Sequence, residues 1–186
     1  MAGSQNPLGA VDQAMADTEP VAQQSIATNG VTTVTSWAQA REGLADVRRY
    51  WLTTVRLDGR PHVMPLFAVW WDGSMYFTAS NASRKARNLE RDPHCVISAG
   101  AEALDLVVEG QAVKVRDEAT LRRVADMYAA KYGWQLTVRD RTYFADYGAP
   151  SAGPPPYDLY EVTPAVAFGL GTAEPFGATR WRFERA

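Results

Sequence analysis

The chain has 186 residues, a net charge of −2 at neutral pH and a single cysteine, Cys95. That length suits one domain with a real core; one cysteine excludes an internal disulfide scaffold; and the near-neutral balance gives no global pull toward nucleic acid or an anionic membrane. No apolar run approaches the roughly 20 residues that span a bilayer, and the start lacks a basic-then-apolar secretory pattern, so a cytoplasmic setting is expected.

Residues 1–35 are rich in Ala, Gln and Ser with few large apolar groups, which predicts a flexible or loosely docked tail ahead of a domain over 36–186. Ser36 is placed to cap a helix whose Trp37, Ala40, Leu44 and Val47 share one face. Tyr50–Val55 then changes to a β-branched and aromatic pattern, and Asp58-Gly59 supplies a hairpin turn. His62–Trp71 reads as the returning strand, in which Pro65 marks an edge, a bulge or a ligand-facing opening. A second Asp-Gly turn at 72–73 leads into Ser74–Thr78, completing an antiparallel meander.

Ser83–Arg91 predicts a short helix stopped before Pro93. Cys95–Ser98 and Leu104–Val115 are further strands. Asp117 caps a helix ending near Gly133, with Leu121, Val124, Ala125, Tyr128 and Tyr132 on its core face. Residues 134–156 carry no clear element, and a loop of that length is often functional; Tyr143, Phe144 and Tyr147 are candidates for a lid over a planar substrate. Tyr157–Val162 and Ala165–Leu170 read as the last two strands, separated at Pro164. The expected fold is mainly β with peripheral helices: a closed or partly open barrel of about six antiparallel strands.

The segment Ser83-Arg84-Lys85-Ala86-Arg87-Asn88 places three cations behind a hydroxyl at a helix start, where backbone N–H groups and the dipole favour an anion. A phosphate is one reading; a solvated basic face is the other. Two histidines, His62 and His94, and one cysteine make no metal-ligand pattern. No nucleophile elbow is present, and Gly169-Leu170-Gly171 lacks the helix and distal glycine of a dinucleotide fingerprint. Chemistry borrowed from an organic cofactor remains.

Taken in order, TTVRLDGRPHVMPL, GSMYFTAS, SRKARNLERDP, VVEG and the terminal ATRWRF resemble the FMN-binding split-barrel superfamily, which contains pyridoxamine 5′-phosphate oxidase and the deazaflavin-dependent reductases of actinobacteria. The likeness covers roughly residues 45–183, and TRWRF points toward the deazaflavin-dependent branch. It implies an oxidoreductase that moves a hydride between bound coenzyme F420, or FMN, and a small organic substrate. The resemblance places His62, Val63, Met64, Pro65 and Leu66 along the cofactor ring. It sets Phe77, Thr78, Ala79 and Ser80 against ring and ribityl chain, and Ser83, Arg84 and Lys85 on the phosphate, with Arg87 and Asn88 nearby. It also implies a homodimer with cofactor at the interface, bringing Arg180, Trp181 and Arg182 near the site, and no metal, membrane or nucleic-acid partner. Asp105 stands where the oxidases have Gln, and Arg180-Trp181-Arg182 replaces their Arg-x-His, so vitamin B6 oxidation is not expected. A non-catalytic flavin- or haem-binding protein is the alternative of a different class.

Overall fold

The computed structural model describes residues 18–148 and 153–184. In chain order the first elements are β1 (Ala22–Ser25), α1 (Trp37–Asp46), β2 (Tyr50–Val55), β3 (Pro61–Leu66), β4 (Ala68–Trp71), β5 (Ser74–Ser80) and α2 (Arg84–Arg91). They are followed by β6 (His94–Gly100), β7 (Leu104–Lys114), α3 (Glu118–Tyr132), β8 (Thr137–Arg139), β9 (Thr142–Phe144), β10 (Tyr157–Gly171) and β11 (Ala178–Arg182). The fold is mainly β with peripheral helices, as the sequence predicts.

The helices start where their capping residues stand. Ser36 and Gln39 form a reciprocal capping box at α1, Ser83 accepts from Ala86 N at α2, and Asp117 accepts from Thr120 N at α3. Gly133 ends α3 with φ +69°, a left-handed conformation suited to glycine.

The strands form one open antiparallel sheet in the order β1-β11-β10-β7-β6-β2-β3, with β4 and β5 branching from β10 and the β8–β9 hairpin attached beside them. β10 is the branch point. Its first part pairs with β5 and its last part with β11, while β7 follows its other edge. This is a split barrel.

Three expectations change on this frame. Residues 62–71 are two strands, because the chain turns a corner at Phe67: β3 pairs with β2, whereas β4 pairs with β5. The corner's backbone is satisfied by α3, as the Tyr128 hydroxyl donates to Phe67 O at 2.8 Å and Tyr132 bonds Ala68 through both N and O. Residues 157–171 are one strand, because Pro164 is absorbed by a register shift opposite Gly110, where a Cβ would meet Thr163 O at 2.4 Å. Residues 137–144, read from sequence as loop, form a short hairpin.

The N-terminal segment is also more ordered than its composition predicts. β1 lies on the edge of β11, and the Trp37 indole donates to Thr18 O at 3.0 Å. A free strand edge supplied the partners that its own apolar content could not. Residues 1–17 lie outside the described residues.

Two apolar cores flank the branch point. One joins α1, α2 and the main sheet around Trp37, Leu44, Leu52, Phe77, Tyr160 and Trp181. The other packs α3 on β4, β5, β9 and β10 around Val69, Tyr76, Tyr128, Tyr143 and Tyr157. No helix among the described residues is long and apolar enough to cross a membrane.

Candidate functional site

Two local features build a basic groove. The Asp58-Gly59 turn closes with hydrogen bonds Gly59 N to Arg56 O and Arg56 N to Arg60 O, both 2.9 Å, so Arg56 and Arg60 sit side by side at the hairpin tip. On α2, Arg84, Arg87 and Arg91 recur at three- and four-residue spacing and share a face. Together with Leu57, Asp58 and Asn88 these five arginines line a groove of about 570 Å³.

Its charges are unequal. Arg60 is spent on Asp58 at 2.7 Å, and that contact holds the Asp58 carboxyl below its usual range. Arg91 donates to Val55 O at 2.9 Å and ties α2 to β2. Arg84 and Arg87 are both exposed, and neither guanidinium makes a hydrogen bond or ion pair among the described residues. Three strong cationic donors, those two and Arg56, therefore face one carboxylate that is already engaged. A phosphate or other compact anion fits this donor set.

His62 stands beside the groove. It opposes Thr54 across the β2–β3 ladder, so both side chains emerge on one sheet face. Asn88 reaches that face from α2, its amide donating to Thr54 Oγ1 at 2.9 Å. The His62 Nδ1 atom is shielded from solvent and has no hydrogen-bond partner among the described residues. Burial first, then Arg56, Arg84 and Lys85, hold its imidazole below the ordinary histidine value.

The other residues singled out in the sequence are distributed differently. Val63 is exposed, Met64 and Pro65 are half-buried and Leu66 is buried, all on β3, whose outer edge has no strand partner among the described residues. Phe77, Thr78, Ala79 and Ser80 are all buried; Phe77 stacks on Tyr160, and the Ser80 carbonyl accepts from Ser83 N at 2.9 Å. β4 ends opposite Phe77, leaving that edge of residues 78–80 without a strand.

Ser83 uses its hydroxyl as acceptor for Ala86 N at 3.3 Å and keeps its O–H to donate. Lys85 does not line the groove: it is only 3% exposed, and burial lowers its ammonium pKa. Arg180, Trp181 and Arg182 lie on β11, with β10, β7, β6 and β2 between them and β3 in the sheet. Trp181 is fully buried against Trp37, where Gly169 makes room for its ring, so within one chain it is a core residue. Arg180 donates to the Gln24 side chain at 2.9 Å. Tyr143, one of the lid candidates, is buried and donates to Leu121 O.

Arg56, Arg60 and Arg91 escaped the sequence reading, although their signal was present. The first two flank a turn, and the third stands two helical turns beyond Arg84. A larger cleft of about 720 Å³ opens between α1 and the β6–β7 and β10–β11 turns, but its lining includes Glu42, Asp46, Glu102 and Glu174 and no cation. It would repel a phosphate. Among the described residues no cluster of His, Cys, Asp or Glu could hold a metal.

The branched sheet with a capped basic helix beside its first hairpin defines a class, the split-barrel proteins. The Pyridoxamine 5'-phosphate oxidase family profile matches residues 36–170, and the chain belongs to that family. Solved structures share the fold at low identity. General Stress Protein 26 from Bacillus anthracis is 18% identical, covering 70% of this chain and 93% of its own, with a TM-score of 0.50. An F420 reductase is 21% identical, covering 68% and 94%, with a TM-score of 0.50. An FAD-binding protein from Mesorhizobium loti is 16% identical, covering 78% and 95%, again at 0.50. Among curated proteins none matches the sequence significantly.

Proposed function

We propose that the chain is an oxidoreductase that binds coenzyme F420, with FMN as the competing ligand, and passes a hydride between it and a small organic substrate. The observation that carries the reading is the groove itself. The Arg84 and Arg87 guanidinium groups stand without partners among the described residues at the start of a capped helix, and Arg56 lines the same groove from a hairpin. This donor set suits a phosphate held beyond a ribityl chain. The three arginines left for a ligand, Arg56, Arg84 and Arg87, can serve more than one anionic group, which favours the ligand with further acidic groups. The F420 reductase among the structural neighbours supports the same choice.

When bound, such a coenzyme supplies a ring that carries two electrons as hydride. The chain's own residues bind and orient. Arg84, Arg87 and the Ser83 O–H hold the anionic end. The unpaired edge of β3 offers backbone hydrogen bonds to a polar ring lying along it. No side chain is assigned as acid or base.

A homodimer completes the reading. β2, β3 and β6 turn an outer face to solvent on which Trp51 is 44% and Val63 50% exposed, flanked by Pro65 and Val96 through the ladder. A second copy covering this face would exclude water along β3 and bring its Arg180 and Arg182 toward the cofactor.

The test is a fluorescence titration of the purified protein with F420 and with FMN. Wild type should bind F420 more tightly, and Arg84→Ala with Arg87→Ala should weaken it by about 1–3 kcal/mol per lost charged hydrogen bond. Binding of neither coenzyme, or equal affinity of the variants, would overturn the proposal. Binding of F420 without oxidation of its reduced form in the presence of candidate acceptors would make the chain a carrier.

A further inference from the structure

Beside the groove stands a titratable group that the clamp does not need. His62 shares its sheet face with Thr54, and Asn88 pins that face under α2 through Thr54 Oγ1 at 2.9 Å. The His62 carbonyl lies 3.5 Å from the same hydroxyl. The neighbours of the imidazole on that face are thereby fixed, while its shielded Nδ1 has no partner among the described residues. A shielded polar atom left without a partner asks for an explanation, and an absent ligand is one.

The charges around it are of one sign. Arg56 acts on the ring from the end of β2, and Arg84 and Lys85 act from α2. Asn88 and Thr54 are neutral. The nearest carboxylate in the groove, Asp58, is held by Arg60 at 2.7 Å. In the free protein a positive charge on the ring would be repelled by these three cations. An anion seated on Arg84 and Arg87 reverses that field.

We propose that His62 couples anion binding in this groove to uptake of one proton, so that the cofactor phosphate is gripped by a newly formed imidazolium as well as by arginine. This rests on the reading of the groove as a phosphate site and adds its regulation. The proton comes from solvent and returns to it when the anion leaves. No bond to phosphorus is made or broken. Affinity for a dianion then rises as the solution becomes more acidic, and release is favoured on the alkaline side.

Inorganic sulfate is the right probe, because it stays a dianion throughout the working range and any pH dependence belongs to the protein. Only two histidines are present, so selective labelling gives two imidazole resonances. Replacing His62 assigns them, and His94, which bonds Asp92 and Gln111, serves as internal reference. Saturating sulfate should raise the His62 midpoint by about one unit or more and leave His94 in place. By linkage, a one-unit rise makes sulfate bind about fivefold more tightly at pH 5.5 than at pH 8 in the wild-type protein, and within about twofold at the two pH values in His62→Asn.

If sulfate binds equally at both pH values and the His62 midpoint stays still, the proton coupling is wrong while the arginine clamp stands. If sulfate fails to bind at either pH, the anion reading of the groove fails and takes the coupling with it.

Discussion

Asn88 offers the sharpest test of how the groove is held. It is 7% exposed and its partner Thr54 is 1% exposed; the 2.9 Å bond between them joins α2 to β2 across 34 residues of sequence. Replacing Asn88 by Ala removes a neutral hydrogen bond, worth about 1 kcal/mol net, and strands a buried hydroxyl whose other contact is long at 3.5 Å. The expected loss is about 1–3 kcal/mol, or a fall in Tm of about 2–4 °C for each kcal/mol in a chain of this size. Urea unfolding of wild type, Asn88→Ala, Thr54→Val and the double variant, at one protein concentration, reads the coupling directly. The double variant should recover about 1 kcal/mol relative to the sum of the singles. Additive singles, or an Asn88→Ala variant within 0.5 kcal/mol of wild type, would refute the idea that this bond fixes α2 over the hairpin.

The remaining predictions concern assembly and pH. Val63→Asp should shift the protein from dimer to monomer in size-exclusion chromatography with light scattering while leaving its circular dichroism unchanged; an unaltered dimer would move the interface elsewhere. Lys131 donates to Ala45 O at 2.7 Å and to the Tyr50 hydroxyl at 2.8 Å, and burial pushes its ammonium down to about 8 from an ordinary 10.5. Between those values the unfolded chain binds more protons than the folded one, so stability gains with rising pH. Measured at pH 7.5 and 9.5, wild type should gain stability relative to Lys131→Met, and parallel behaviour of the two would contradict the buried-ammonium assignment.

Local chemistry made much of this fold legible. Ser36, Ser83, Asp117 and Gly133 begin or end helices because each satisfies a backbone group that the helix leaves open, and that need is written in a few adjacent residues. The two Asp-Gly turns likewise announce their hairpins. What stayed hidden depends on distant partners. The break at Phe67 is set by Tyr128 and Tyr132 some 60 residues later, and the persistence of β10 through Pro164 depends on Gly110 across the ladder. The strand β1 exists because β11 has an edge to offer.

The site divides in the same way. Arg84, Arg87 and Asn88 were readable as one helix face, whereas Arg56 and Arg60 join them only once the hairpin folds beside α2. Lys85 belongs to the same basic run, but helical periodicity turns it inward. The family resemblance puts Trp181 near the site by way of a homodimer, whereas its burial within one chain depends on the space left by Gly169 on the neighbouring strand.

The most direct measurement is a crystal structure of the protein with reduced F420 or FMN bound. The account predicts its phosphorus within hydrogen-bonding reach of the Arg84 and Arg87 guanidinium groups, with the ring extending along β3. A phosphorus located in the acidic cleft beside α1, or bound away from α2 altogether, would contradict it.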